Sequence, residues 1–483
     1  MIKLLDIITD EIKLKNNKLV ISGLSSNSKL VKQDFLFSSF ANAIAKNDLY
    51  IKNAIENGAV ALLIKKENYK KYFNTLNIEV IVVKDPRETY IKICSKYYKL
   101  QFKNLVAVTG TNGKTSVAWI VSNIWHKMKI KSASIGTLGV YDGKNILKNQ
   151  LTTPSIDDLF LNLYNFKKKD FKNIIIEASS HGIHQRRLDG LKFSIVVITS
   201  LSRDHLDYHK SYKNYKKAKL RLFDNLTKNQ GIAIINDSIE EYKEFVKVSL
   251  KNNLKVITIG KKKTSDWCYK VNFSRNLIHR VEVIYKGITK KFNTKLIGDF
   301  QINNLVTSMA VLFESGLSFE SIIKNIPRIT APPGRLEYIG KLREANIYID
   351  YAHTPDALKN VLKSVKLYVN NNLIIVFGCG GNRDKGKRSI MGKIAHNYAD
   401  IIYVTDDNPR DEKASKIRKE IIKGCSNAIE IPDRYTAIES AINNIESGDI
   451  LIILGKGHEE EQIIKNESRF FNDKQVVLEI LKK

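Results

Sequence analysis

The sequence predicts an α/β protein of several domains built on mostly parallel sheets, and three observations carry that reading. Short, wholly apolar runs alternate with amphipathic stretches of helical length, the pattern of strands covered by helices on both faces. Nearly every such run leads straight into a polar or glycine-rich loop. The chain has 483 residues, too many for one hydrophobic core, so roughly two to four domains are expected.

Taken in order, residues 1 to about 87 alternate short apolar runs with polar turns and end near Asp85-Pro86. They read as a small α/β unit without a catalytic motif. From about 100 to 330 the pattern becomes strand–loop–helix: Leu105–Val108 is a strand, a helix begins near Lys114, and Asn173–Ile176 and Phe193–Thr199 are further buried strands. A third block opens near Pro332-Pro333-Gly334, with strands at Ile347–Ile349, Leu373–Phe377, Ile401–Val404 and Ile450–Leu454. Val108 leads to the Gly110 loop, Ile176 to Glu177, and Ile198 to Asp204-His205. Ile349 leads to Asp350–His353, Phe377 to Gly378–Arg383, Val404 to Asp406–Arg410, and Leu454 to Gly455–Glu459. Parallel sheets bind ligands at the carboxyl ends of their strands. Two consecutive sheets of this kind imply a cleft between domains.

Composition excludes several classes. No apolar run approaches the roughly 18 residues of a membrane helix, and Asp6, Asp10 and Glu11 run against a secretory leader. The four cysteines lack CxxC spacing, which fits a reducing cytoplasm better than a disulfide or zinc framework. The net charge of +29 invites a nucleic-acid reading. The lysines, however, are spread along the whole chain among many Ile and Asn, as an AT-rich coding sequence would produce. No basic helix with interleaved aromatics and no RNA-binding signature accompanies them. Neither nucleic acid nor membrane is therefore expected as a partner, and a monomer is the expected state. No internal repeat or low-complexity tract is present.

The strongest chemical motif is Gly110-Thr111-Asn112-Gly113-Lys114-Thr115-Ser116 after strand 105–108. Its glycines let backbone N–H groups wrap phosphate oxygens, and the following helix adds its positive end. Lys114 can reach terminal phosphates and the Thr115 hydroxyl can ligate Mg²⁺. It is a variant, because the first glycine of the usual eight-residue phosphate loop is replaced in Thr109-Gly110-Thr-Asn-Gly-Lys-Thr. Glu177, at the end of its strand in Glu177-Ala-Ser179-Ser180-His181-Gly182, would point at this loop and serve as a hard oxygen ligand for Mg²⁺. Taken alone, His205 reads as a structural or hydrogen-bonding histidine rather than a Mg²⁺ ligand. Tyr215, Ala218, Lys219, Leu222 and Phe223 share helical spacing, and nothing in the spacing singles out Lys219 among the many lysines. Arg383, in Gly380–Gly386, and Arg410, in the proline-fixed turn Asp407-Asn408-Pro409-Arg410, could each grip a carboxylate bidentately or make ordinary surface ion pairs. Thr354-Pro355 reads as an N-cap followed by the first helical residue.

Together these motifs resemble the Mur ligase family. The resemblance rests on Thr109–Ser116, Glu177–Gly182, Asp204-His205-Leu-Asp207-Tyr-His209 with Ala218-Lys219, Pro333-Gly334-Arg335, Asp350–His353 and Gly455-Lys456-Gly457-His458-Glu459, in the family's order and over essentially the whole chain. Thr152-Thr153-Pro154, Gln185 with Arg187, and Asp407–Arg410 resemble the members that add a diamino acid to UDP-N-acetylmuramoyl-L-alanyl-D-glutamate, the last motif resembling the meso-diaminopimelate version. Alternatives are an L-lysine-adding member, a folylpolyglutamate synthase-like ligase, a nucleic-acid-directed P-loop NTPase and a non-catalytic binding protein.

The resemblance implies three domains: a UDP-end-binding domain over 1–87, a central P-loop ATPase domain over 88–332, and a Rossmann-like, amino-acid-binding domain over 333–483. It implies ATP as co-substrate, Mg²⁺ as cofactor, and an acyl-phosphate intermediate. Lys114, Lys219, His205 and Glu177 take catalytic positions. Thr115, Glu177, His205 and Lys219 take the metal positions, Lys219 as its carbamate (N6-carboxylysine). Gly110 to Ser116, Asn304 and Arg335 fall on the ATP side. Ser26, Ser28, Thr152, Thr153, Ser179, Gln185 and Arg187 match contacts to the muramoyl-dipeptide nucleotide. Arg383, Asp407, Asn408, Pro409, Arg410, Gly455 and Glu459 match the diaminopimelate pocket. There are departures: the usual glycine and Asp-Gly are missing around Asn42–Asn47, Asn27-Ser28-Lys29 replaces Asp-Ser-Arg, and Gln301 stands where asparagine is common.

Overall fold

The computed structural model describes residues 1–9, 12–40, 44–70, 73, 77–149, 151–274 and 277–482. Asp10, Glu11 and Asn42, noted above, lie outside the described residues. Three sheets organise the chain. The first is four-stranded and parallel, in the order Gly23–Ser25, Phe35–Ser38, Ala59–Ile64, Glu79–Val82. The second is eleven-stranded. At its heart, Asn173–Glu177 lies between Ser132–Gly136 and Asn104–Thr109, followed by Phe193–Ile198, Thr227–Asn236, Lys255–Gly260 and Trp267–Asn272, all paired parallel. Antiparallel strands extend both edges. The third sheet is six-stranded, in the order Glu337–Leu342, Ala345–Asp350, Ile450–Leu454, Leu373–Phe377, Ile401–Val404, Ile429–Glu430, with only the first pair antiparallel.

The apolar strands run unbroken because both sheet faces are covered. In the second sheet Leu105, Ala107, Ile174 and Ile176 turn to one core, while Val106, Val108 and Ile175 turn to the other beneath helices Lys114–Lys127 and Asp299–Glu314. The third sheet likewise splits Ile375 and Phe377 from Ile374 and Val376. The first sheet's Leu36, Ala61 and Leu63 share one core with the second sheet's Leu105 and Ile174. Helix Pro86–Tyr98, started by the Asp85 cap, supplies Tyr90, Ile93 and Cys94 to that shared core. The boundary expected after residue 87 therefore falls in the first turn of a helix that joins two sheets. The boundary at 332/333 falls in a prolyl segment between two elements. Thr354 caps helix Pro355–Lys366 with Pro355 in its first turn, as the sequence predicts. Among the described residues no helix is long and apolar enough to cross a membrane.

Candidate active site

Strand Asn104–Thr109 delivers the chain into the loop at residues 110–113, and helix Lys114–Lys127 starts directly after it. Gly113 has φ +86°, and a Cβ there would lie 2.5 Å from Asn304 Oδ1. Only glycine lets helix Asp299–Glu314 close against the loop, and this places Asn304 beside it. Lys114 Nζ turns back to donate to Gly110 O (2.8 Å) and Thr111 O (3.0 Å). Its burial lowers its pKa.

Lys219 meets the same oxygen. It lies on the buried face of helix Tyr212–Asp224, 1 % exposed, and its Nζ donates to Gly110 O at 2.9 Å. Tyr215 holds Thr111 Oγ1 at 2.9 Å and lays its ring 4.6 Å from that Nζ. Burial takes the Lys219 pKa well below the ordinary lysine range, and the neighbouring Lys114 charge pushes the same way. Helical spacing alone does not single out Lys219 among the many lysines; its burial against the phosphate loop does. Two amines share one carbonyl, an arrangement a lysine tolerates only by shedding its proton or gaining an anion.

Glu177 is the last residue of its strand and 2 % exposed. Oε2 accepts from Thr115 Oγ1 (2.8 Å) and Thr137 Oγ1 (3.1 Å), and Oε1 accepts from Thr137 N (2.9 Å). Thr137 touches Thr152 Oγ1 at 3.1 Å. Thr153 Oγ1 donates to Glu177 O (2.7 Å) and meets Ser179 Oγ at 3.0 Å, and Arg187 Nη1 donates to Thr153 O at 2.7 Å. Gln185 Nε2 donates to Tyr208 Oη at 3.1 Å. The Tyr208 ring lies 4.2 Å from that of His181, which lies 4.7 Å from His205. Burial lowers the His205 pKa, and Lys114 and Lys219 lower it further. The loops after four strands thus form one continuous surface beside the phosphate loop.

Across the cleft, Arg335 lies over the Tyr351 ring at 4.4 Å, and Gln301 Nε2 donates to Arg335 O at 2.8 Å. Asp356 Oδ2 reaches back to Ser202 Oγ (3.0 Å) and Asn112 Nδ2 (3.5 Å), tying the third sheet's first helix to the phosphate loop. Arg410 Nη1 donates to Gly381 O (2.9 Å) and Asn408 O (3.4 Å), and Arg383 Nη1 to Asn382 O (3.4 Å). Among the described residues both guanidiniums bond only backbone carbonyls. Burial lowers the Arg410 pKa, and the nearby Arg383 charge adds to it. Asn408 Nδ2 donates to Glu459 Oε2 at 2.9 Å, and burial together with Asp407 raises the Glu459 pKa. Gly455 N donates to Asp350 O at 3.1 Å, putting the Gly455–Glu459 loop beside these groups.

Two family models match this chain: the Mur ligase middle domain over residues 108–312 and the Mur ligase, glutamate ligase domain over residues 334–457. The chain belongs to the Mur ligase family. This Mur ligase is 40 % identical over 472 residues to a UDP-N-acetylmuramoyl-L-alanyl-D-glutamate–2,6-diaminopimelate ligase of Rickettsia montanensis, covering 96 % of each chain. It is 38 % identical to the ligase of that name in Mesorhizobium japonicum, covering 95 % of this chain and 94 % of that one. A solved structure of a ligase of the same name superposes with a TM-score of 0.69 at 30 % identity, over 96 % of this chain and 95 % of the other. MurF ligase from Thermotoga maritima in complex with ADP (TM-score 0.66, 17 % identity, 96 % and 98 % covered) shares the fold. So does Mycobacterium tuberculosis folylpolyglutamate synthase (0.63, 16 %, 76 % and 91 %).

In this Mur ligase the two N-terminal serines stand apart from the phosphate loop. Ser26 donates its N–H (2.7 Å) and hydroxyl (2.9 Å) to Asp157 Oδ2, whose Oδ1 accepts from Tyr90 Oη at 2.6 Å. Ser28 is buried, and its carbonyl accepts from Asn57 Nδ2 at 2.9 Å. Asp157 opens the helix that follows Thr152-Thr153-Pro154, so it links the Ser26 loop to that motif. Thr137, Asp157, Tyr208 and Asp356 were not singled out in the sequence, and Tyr215 was read there only as part of a helical spacing. Thr137 was within reach, since it follows strand Ser132–Gly136 as Glu177 follows its own. The others are revealed by packing. A cleft of about 620 Å³ between helix Pro86–Tyr98 and residues 186–192 is lined by none of the predicted site residues.

Proposed function

We propose that this Mur ligase uses ATP to join meso-2,6-diaminopimelate to the D-glutamate side-chain carboxylate of UDP-N-acetylmuramoyl-L-alanyl-D-glutamate, forming an amide, ADP and phosphate. The observation that carries the reading is the meeting of Arg383 and Arg410 beside Asp407 and Glu459. Two guanidiniums with only carbonyl partners suit a free carboxylate, and two carboxylates suit an ammonium. The far end of diaminopimelate bears both groups, whereas L-lysine there bears only the ammonium.

In this mechanism ATP replaces the loop carbonyls as the partner of Lys114. Lys114 and the N–H groups of Gly110 to Ser116 hold the terminal phosphates, with Asn304 and Arg335 on the nucleotide side. The γ-phosphoryl passes to the glutamate carboxylate, giving an acyl phosphate and ADP. The diaminopimelate amine then attacks the acyl carbon, phosphate departs, and the amine's proton is released. Fixed donors in a dry site stabilise the charge that develops. Thr152, Thr153, Ser179, Gln185 and Arg187 orient the dipeptide, Ser26 and Ser28 serve the uridine end, and Arg383 and Arg410 supply proximity.

The residues fit Mg²⁺. Thr115 Oγ1 and Glu177 Oε2 are hard oxygens 2.8 Å apart. Among the described residues no set of three His, Cys, Asp or Glu forms a cage, in keeping with an ion that draws most ligands from phosphate and water. Thr115 and Glu177 would hold one such ion, and His205 with a carbamylated Lys219 would hold a second; when bound they neutralise phosphate charge. A neutral Lys219 amine adds to CO₂, giving a carbamate and one proton, which sets an anion beside Lys114. The reaction belongs in the cytoplasm, where ATP and the nucleotide precursor occur, with the enzyme as a monomer.

The test is phosphate release from ATP with the muramoyl-dipeptide nucleotide, Mg²⁺ and bicarbonate, comparing meso-diaminopimelate, L-lysine and no amino acid. Diaminopimelate-dependent release, with the tripeptide product seen by mass spectrometry, is expected. Release with L-lysine alone would overturn the specificity, and release with neither would overturn the reaction.

A further inference from the structure

The two arginine-bearing loops belong to different strand ends, yet one residue, Glu412, bonds both. Glu412 Oε1 accepts from Asn382 N at 2.7 Å, next to Arg383, while Glu412 N donates to Pro409 O at 3.1 Å, next to Arg410. Beneath it Arg388 is fully buried. It grips Glu412 with both guanidinium ends (Nη1–Oε2 3.1 Å, Nη2–Oε1 2.9 Å) and reaches Gly380 O at 3.4 Å. The loops are also pressed together. Gly381 N donates to Asn408 O at 2.9 Å, and a Cβ on Gly381 would lie 1.9 Å from Pro409 O. Asn382 and Arg410 both sit in left-handed backbone, at φ +53° and +50°, conformations that a non-glycine residue keeps only where its surroundings hold it.

We infer that Glu412 is a positioning residue that fixes the separation of Arg383 and Arg410, and with it the preference for an amino acid carrying a carboxylate at its far end. The inference rests on the proposed function. Glu412 stands behind the loops, bonded to backbone and Arg388, and its contribution is geometric. A bidentate arginine–carboxylate pair under two tight turns converts loose loop arginines into a fixed receptor. Glu420 supplies an internal control. It accepts from Arg388 Nη1 at 2.7 Å, as Glu412 does. Its carboxylate bonds neither loop.

The experiment compares Glu412→Gln and Glu420→Gln in full-length enzyme, in steady state, varying diaminopimelate, L-lysine, ATP and muramoyl-dipeptide nucleotide in turn. Wild-type turnover with diaminopimelate is established first, and its absence would sink the proposed function rather than this inference. With that turnover in hand, Glu412→Gln is expected to raise the diaminopimelate KM by about tenfold or more, the scale of a weakened, partly buried charge pair. It should leave the ATP and nucleotide KM values within about twofold and lower the diaminopimelate-over-lysine ratio of kcat/KM in step. Glu420→Gln is expected to leave that ratio within about twofold. An unchanged diaminopimelate KM in Glu412→Gln, equal losses in both variants, or an equal rise in the ATP KM would each overturn the assignment. If Glu412→Gln fails to fold by circular dichroism, Glu412→Asp takes its place. That variant keeps the charge but shortens the reach, and the same KM pattern supports or refutes the inference.

Discussion

Replacing Lys219 by methionine tests the central electrostatic feature of the site. Lys114 and Lys219 bond the same Gly110 oxygen at 2.8 and 2.9 Å, so their nitrogens can be no farther apart than the sum of those lengths. At that separation, with an effective dielectric constant of about 20, two positive charges would repel by about 3 kcal/mol, so folding carries a cost of that order whether Lys219 bears the repulsion or sheds its proton to escape it. Methionine fills nearly the same volume without charge and forfeits one hydrogen bond, worth about 1 kcal/mol. The net expectation is a gain of about 2 kcal/mol in the unliganded protein, or a Tm rise of roughly 4–8 °C for a unit of 150–250 residues. Activity should move the other way. Without an amine there is no carbamate, and phosphate release should fall at least ~10³-fold, the scale of losing a fixed electrostatic group in a closed site. The assays are thermal denaturation in bicarbonate-free buffer and saturating phosphate release with bicarbonate present. A variant that keeps activity within about tenfold would refute the carbamate role. A Tm drop of several degrees would refute the repulsion argument, because it would make the ammonium a structural asset.

Arg410→Ala should raise the diaminopimelate KM roughly 30-fold, from about 2 kcal/mol for a charged hydrogen-bond pair, with the ATP KM unchanged; an unmoved diaminopimelate KM would remove this arginine from recognition. Asp157→Asn should loosen the Ser26 loop by weakening its bonds to Ser26, raising the KM for the muramoyl-dipeptide nucleotide about tenfold, whereas a parallel rise for ATP would show general damage. Burial lifts the Asp350 carboxyl to about 6, against the pull of Arg335 and two backbone N–H donors. The folded protein then holds this proton while the unfolded chain releases it near pH 4, so this group makes stability fall as pH rises from about 4 to 6, by about 3 kcal/mol in all. Denaturant titrations across that window should lose this component in Asp350→Asn, and an identical pH profile would show that the carboxyl is not raised.

The strands and the phosphate loop were legible because their signals are local. A strand buried on both faces must be apolar throughout, and the turn at Gly110–Gly113 needs glycine whatever packs on it. Glu177 could be read for the same reason, since its position at a strand end decides where it points. The Thr354 cap and Pro355 were likewise written in adjacent residues. Lys219 was different. The spacing of Tyr215, Ala218, Lys219, Leu222 and Phe223 places it on an apolar helix face, but a lysine there can extend its stem to water or end in the core. Only the approach of the Gly110 loop, 109 residues away in sequence, decided between them. Asp157, Asp356 and Glu412 were hidden for the same physical cause. Each is a carboxylate whose importance lies in donors from other segments of the chain, and a carboxylate's reading in sequence is simply a solvated charge. The sequence by itself determined the α/β layers, the loops at their carboxyl edges and the chemistry those loops could hold. Tertiary packing decided which charges lost their water, and desolvation gave Lys219 and Arg410 their chemical character.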